Sequence, residues 1–201
     1  MAHSAELPTF KIHGRLIRMQ ALCALVDVAA ASQEADRIDT PIARFDRPPA
    51  SLFTAWFRRA SMHGPPPPGG TEMPGFRIGL NTITKLTAVI LAGTELPDGE
   101  FGPYESWVRP LFLARRGRQE ESSAALDTIP DPPHDLMLEV AWFLTGMAAI
   151  ESGYRSAGLR SYVGLLPAAG ERAGGSGAVD LGPIVPLLNE LAQLFSINDQ
   201  D

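Results

Sequence analysis

Residues 134–166 read HDLMLEVAWFLTGMAAIESGYRSAGLRSYVGLL, and the fold is decided there. From Leu136 to Ile150 this stretch is apolar on nearly every side, interrupted only by Glu139, Thr145 and Gly146. A helix that is apolar all round is buried on all sides. This one is too short to cross a bilayer, which takes about 20 apolar residues in a row. It reads as the central helix of a soluble domain. Gly146, Ala149, Gly153 and Ala157, at spacings of three and four, give that helix a seam of small side chains on which a second helix can lie closely. Asp131 or Asp135 can cap its start, where a carboxylate also suits the positive end of the helix dipole.

Working outward toward the N-terminus, Ile129 to Pro133 holds three prolines and is a connector. Tyr104 to about Leu126 is a helical region, broken or kinked at Pro110 and frayed near Gly117. Residues 93–103, GTELPDGEFGP, form a turn-rich loop. The preceding stretch is ambiguous. Phe76, Ile78 and Leu80 alternate like a strand, whereas Leu80, Ile83, Leu86 or Thr87, and Ile90 step like a helix. Length, with Gly93 as a stop, favours a helix over 80–92. GPPPPGG at 64–70 is a stiff polyproline surface loop, or a ligand for a proline-recognising groove. Ser51 suits an N-cap for a short helix over 52–63, with Phe53, Trp56 and Phe57 on one face. From Gly14 to about Ala35, Leu16, Met19, Cys23, Val26 and Ala30 make a helical stripe, with Asp27, Glu34 and Asp36 mostly off it. A link containing Pro41, Pro48 and Pro49 follows.

Toward the C-terminus, AAGERAGGSGA after Pro167 reads as a flexible link. Ile184, Leu187, Leu188, Leu191 and Leu194 then mark an amphipathic helix starting near Pro183. Together these elements predict a mainly α protein: a single domain of about six helices, orthogonal or bundle-like, with Pro/Gly-rich connectors and extended terminal arms. The divisions are an N-terminal arm at 1–13, a helical domain at 14–166, and a linker plus C-terminal amphipathic helix at 167–201.

Composition bounds the function. The chain has 201 residues, 45% apolar and 20% charged, which is the profile of a globular protein. A net charge of −6 argues against a surface that is basic throughout, yet permits a local basic patch. Of the seventeen basic residues only Lys11 and Lys85 are lysines, an arginine preference that a GC-rich coding sequence explains. Cys23 stands alone, so it forms no disulfide within the chain and no cysteine-based zinc site. Arg15 and Arg18 ahead of MQALCALVDVAAAS imitate a secretory signal, but Asp27 interrupts the apolar run and Glu6 sits in the basic region. The expectation is a cytoplasmic chain without a membrane span.

No motif carries recognisable chemistry. His3, His13, His63 and His134 are dispersed, and no His-x-x-x-His or Glu-x-x-His pair occurs. Glu139 and Glu151 are twelve residues apart, about 120° around a helix, so they do not face one another. A half-buried Glu139 paired with an arginine is the plainer expectation. No nucleophile elbow or phosphate-cradling glycine loop is present. No catalytic residue, metal or cofactor is therefore predicted.

One feature has binding potential. VRPLFLARRGRQEE places Arg109, Arg115, Arg116 and Arg118 within ten residues, with Trp107 and Phe112 among them. Arg155 and Arg160, interleaved with Tyr154 and Tyr162, form a second such run. Cations alternating with aromatic platforms suit single-stranded nucleic acid. Glu120 and Glu121 favour the plainer reading, a solvated face laced with salt bridges. The functional expectation is a non-enzymatic, self-assembling structural protein (a shell, filament or nucleoprotein coat subunit). It would be a homo-oligomer, contacting nucleic acid or another polyanion through those six arginines. Two alternatives stand. One is a small-molecule-binding bundle with a pocket of Trp56, Phe57, Trp142 and Phe143 around Glu139 or His134. The other is an adaptor docking through the proline run or the last helix.

Overall fold

The computed structural model describes residues 14–22, 27–45, 54, 83, 86, 87, 90, 101–135, 137–174 and 179–196. The described helices are α1 (14–22), α2 (Val28–Phe45), α3 (Glu105–Arg115), α4 (Gln119–Asp127), α5 (Leu138–Ser152), α6 (Arg155–Leu165) and α7 (Ile184–Ser196). Arg172–Ala173 (β1) and Gly182–Pro183 (β2) form one antiparallel pair, so the protein is mainly α. The N-terminal arm, Cys23, the region from Ser51 to Phe57 apart from Thr54, the proline run and loop residues 93–100 lie outside the described residues. No described helix is long and apolar enough to cross a membrane.

The all-round apolar helix is central. α5 packs against α3, α4, α6 and α7. Val140, Ala141, Phe143, Leu144, Ala148 and Ala149 are buried in it. Its Thr145 is buried at no cost in unsatisfied polarity, because the hydroxyl donates to the Ala141 carbonyl at 2.8 Å. The expected carboxylate cap is absent: Met137 occupies the N-cap position without a side-chain cap bond, and Asp135 lies just ahead, its carboxylate accepting from the Met137 N–H at 2.9 Å. Asp131 instead pairs with Arg160.

The end of α5 corrects the small-residue seam. Gly153 takes a left-handed φ of 71°, and its N–H and that of Tyr154 turn back onto the Ile150 and Ala149 carbonyls. Gly153 therefore stops the helix and Ala157 lies on α6. The close approach survives, shared between two helices. A Cβ on Gly146 would lie 2.6 Å from Ser161 Oγ, and one on Gly158 3.1 Å from Leu194. α7 begins where the sequence predicts, and Ile184, Leu187, Leu188 and Leu191 join Val140, Leu144 and Leu165 in one core. Ile83, Leu86, Thr87 and Ile90 are helical; Ile83 and Leu86 reach the same core.

Three further expectations change. α3 runs through Pro110, and the chain breaks at Gly117, whose φ of 75° only glycine adopts readily. The Pro110 carbonyl accepts from the buried Ser122 hydroxyl at 2.8 Å, stitching α4 to α3. The link after Pro167 is tied down over its described part. Asp180, 5% exposed, accepts from Arg172 Nε with both oxygens at 2.9 Å and from the Gly182 N–H. Finally, the helix read over 14–35 is two. Asp27 lies between them and caps the second, accepting from the Ala30 N–H at 2.9 Å, and α2 continues past Pro41.

Met19, Ala31, Ala35 and Ile38, with Leu16 and Leu22, form a small separate cluster between α1 and α2. Glu34 is buried beside it rather than off the stripe. Burial raises its pKa, but hydrogen bonds from Arg15 and Arg37, together with their charges, outweigh this and hold it below the ordinary value of 4.5. The folded state thus favours the carboxylate. Its stabilisation is complete above 4.5 and is lost as pH falls through the lowered value. Hydrogen exchange of residues 14–45 is expected to accelerate in that acid range, and Glu34→Gln to remove the pH step. An acid profile unchanged by Glu34→Gln would contradict this.

Candidate polyanion-binding cleft

The spacing of α3 builds the cleft. Glu105, Arg109, Phe112 and Arg116 recur at four, three and four residues and so share one helix face. Gly117 then reverses the chain, the Arg118 N–H returning to the Leu113 carbonyl at 2.9 Å, which brings Arg118 back to the rim. With Phe101 and Leu113 these residues line a cleft of about 210 Å³. Phe101 meets Phe112 edge-on, with ring centres 5.3 Å apart. Arg116 lies over the Phe112 ring, its Cζ 5.8 Å from the ring centre.

The cleft's charge is partly compensated. Arg118 grips both oxygens of Glu121 through Nε and Nη2. That hydrogen bonding, with the charges of Arg118 and Arg109, holds the Glu121 carboxyl below its ordinary value. Arg109 is exposed and has no carboxylate within ion-pair distance among the described residues. Glu105, on the cleft itself, and Glu121, bound to Arg118, are the carboxylates set against its arginines among the described residues.

The six predicted arginines divide. Arg109, Arg116 and Arg118 come together on the cleft. Arg115 turns the other way, its Nε 2.9 Å from Glu151 on α5. Arg155 donates to the Phe195 carbonyl at 2.8 Å, where a cation suits the negative end of α7. Arg160 bonds Asp131 at 2.7 Å and covers Trp142. These last three fasten helices to one another and do not line the cleft.

The aromatic half of the expectation is also corrected. Trp107 is buried and donates to the Pro130 carbonyl at 3.1 Å. Trp142 lies between Arg160 and Gly164, where a Cβ would come within 2.6 Å of the indole. Tyr154 donates to Asp127, and Tyr162 meets Phe195 edge-on at 5.9 Å. Each ring interleaved with arginine in the sequence is engaged within the protein.

Glu139 is half-buried in the first turn of α5, and no arginine pairs with it among the described residues; Glu151 has that role instead. Phe143 is buried, Trp142 half-buried and His134 exposed, so these three do not share one environment. Among the described residues no group of His, Cys, Asp and Glu has the arrangement of a metal site. Comparison of the chain with protein-family models, curated proteins and solved structures gives no match.

Proposed function

We propose that the protein is a non-enzymatic, self-associating helical protein, a shell, filament or coat subunit. In this reading Arg109, Arg116 and Arg118 hold a phosphate-bearing polymer, with single-stranded nucleic acid the first candidate. The observation that carries the binding half is the convergence of three guanidinium groups on one cleft. Guanidinium forks match phosphate oxygens bidentately. Trp107, Tyr154 and Tyr162 are engaged elsewhere, and Phe112, on the cleft, is taken up by Phe101 and Arg116; this favours contact with the backbone over contact with bases, and hence binding without sequence preference. The cleft volume supports the same conclusion. About 210 Å³ falls below the roughly 300–1,000 Å³ of small-molecule pockets, and so suits one group of a larger ligand.

Size-exclusion chromatography with light scattering, read at 260 and 280 nm, tests assembly and bound nucleic acid together. A clean monomer or dimer without nucleic acid retires the coat reading. Binding is tested by anisotropy of a labelled single-stranded oligonucleotide at low salt. Arg109→Ala/Arg116→Ala is expected to weaken it by about tenfold or more and to flatten its salt dependence by roughly 1.4, or 0.7 for each lost phosphate contact. Glu121→Gln, which removes the resident counter-ion, is expected to tighten it by about threefold to tenfold. Unchanged affinity in the double variant would reject the cleft as the contact.

A further inference from the structure

A second concentration of positive charge lies on α1 and α2, apart from the residues of the cleft. Glu34, its side chain 2% exposed, is approached by three guanidinium groups. Arg15 Nη1 is 2.8 Å from one oxygen, and Arg37 Nη1 is 2.6 Å and Arg18 Nε 3.6 Å from the other. One carboxylate neutralises one of three charges. Among the described residues no other carboxylate lies within ion-pair distance of these arginines. Among the described residues two positive charges therefore remain, and the side chains of Arg15, Arg18 and Arg37 are 42%, 68% and 53% exposed. Holding three guanidinium groups around one buried carboxylate works against their mutual repulsion, which a further anion on the outer side would relieve.

We infer that Arg15, Arg18 and Arg37 form a binding site for a phosphate group, with Glu34 as the buried positioning residue behind it. Arg15 and Arg18 are three apart on α1, and Arg37 is three beyond Glu34 on α2, so helix spacing delivers both sides of the site. Guanidinium is the cation best matched to phosphate oxygens, since its fork is planar and remains charged. The ligand is either a small molecule with a phosphate group or the backbone of a nucleic acid. The site stands independently of the α3 cleft.

Isothermal titration of the full chain with inorganic pyrophosphate at low salt tests this. Saturable binding is expected, weakened about tenfold by Arg18→Ala. Arg18 makes the longest contact with Glu34 and is the most exposed of the three, so its loss leaves the helix pair intact. Titration in the Arg109→Ala/Arg116→Ala background removes phosphate contacts of the cleft, so the saturable binding that remains there, and that adding Arg18→Ala weakens, belongs to this site. Glu34→Gln raises the local positive charge, so a bare charge patch would bind more tightly. A positioned site binds more weakly, and tighter binding would overturn the role of Glu34. Displacement of pyrophosphate by a mononucleotide supports a small ligand, and displacement by a single-stranded oligonucleotide alone supports a polymer. Undiminished binding by Arg18→Ala, or no saturation at about 10 mM pyrophosphate, ten times a millimolar Kd, overturns the site.

Discussion

Gly146→Val is expected to destabilise the protein by about 3 kcal/mol or more, at the upper end of what overpacking costs. The first added carbon already falls 2.6 Å from Ser161 Oγ, with Leu187 at 3.1 Å and Leu191 at 3.3 Å. Ser161 cannot readily turn aside, since its hydroxyl is buried and donates to the Trp142 carbonyl at 2.7 Å. Relief therefore requires α6 and α7 to move off α5, exposing leucines whose burial stabilises by about 1.5–3 kcal/mol each. Gly170→Ala is the control. Nothing lies within 4 Å of its Cβ position, and a change within about 0.5 kcal/mol is expected. Urea denaturation of both variants checks the contrast, and a parental midpoint for Gly146→Val would show that the helices have room to spare.

The second large effect lies at Asp180. Asp180→Ala strips Arg172 of its partner and leaves the Gly182 N–H without its acceptor. The side chains of Arg172 and Asp180 are 17% and 7% exposed, so the stranded charge is poorly hydrated. Breaking such a pair costs about 3–5 kcal/mol, whereas replacing both members with apolar residues is often neutral. Arg172→Leu/Asp180→Leu should accordingly be more stable than Asp180→Ala alone. A double variant no better than the single one would show that the backbone contact of Asp180 to Gly182, not the ion pair, secures the segment.

These predictions concern features of unequal legibility in the sequence. The all-round apolar run of α5 and the period of α7 announce themselves, because burial demands are written directly in residue type and spacing. Gly153 was legible as a small residue but not as a stop, since a glycine serves equally as close contact and as left-handed cap. Asp180 was invisible because its worth depends on Arg172, eight residues away across a glycine-rich stretch that composition reads as slack. The cleft was half legible. Arg109, Arg116 and Arg118 stood out as a cluster, while Phe101 and Glu105 did not, although the four-three-four spacing from Glu105 to Arg116 held the signal. Arg115, Arg155 and Arg160 share the composition of a binding surface but are oriented by partners that only packing supplies. Glu34 looked like a solvated acid on the polar side of a stripe, and its surroundings come from a helix that the stripe had merged with its own.

The tight reversal at Gly153 has a kinetic consequence. α5 and α6 are joined across two residues and α3 and α4 across three, so these helices meet partners next to them in the chain. Loop closure between such neighbours costs little entropy, and proteins rich in local contacts form quickly, commonly within microseconds to milliseconds. α7 is different. It covers α5 and α6 from beyond the strand pair, so its docking closes a longer stretch of chain than the turn at Gly153 does. The core contacts thus fall into two kinds: those across the turns at Gly117 and Gly153 close short loops, and those of α3 and α7 with α5 close longer ones.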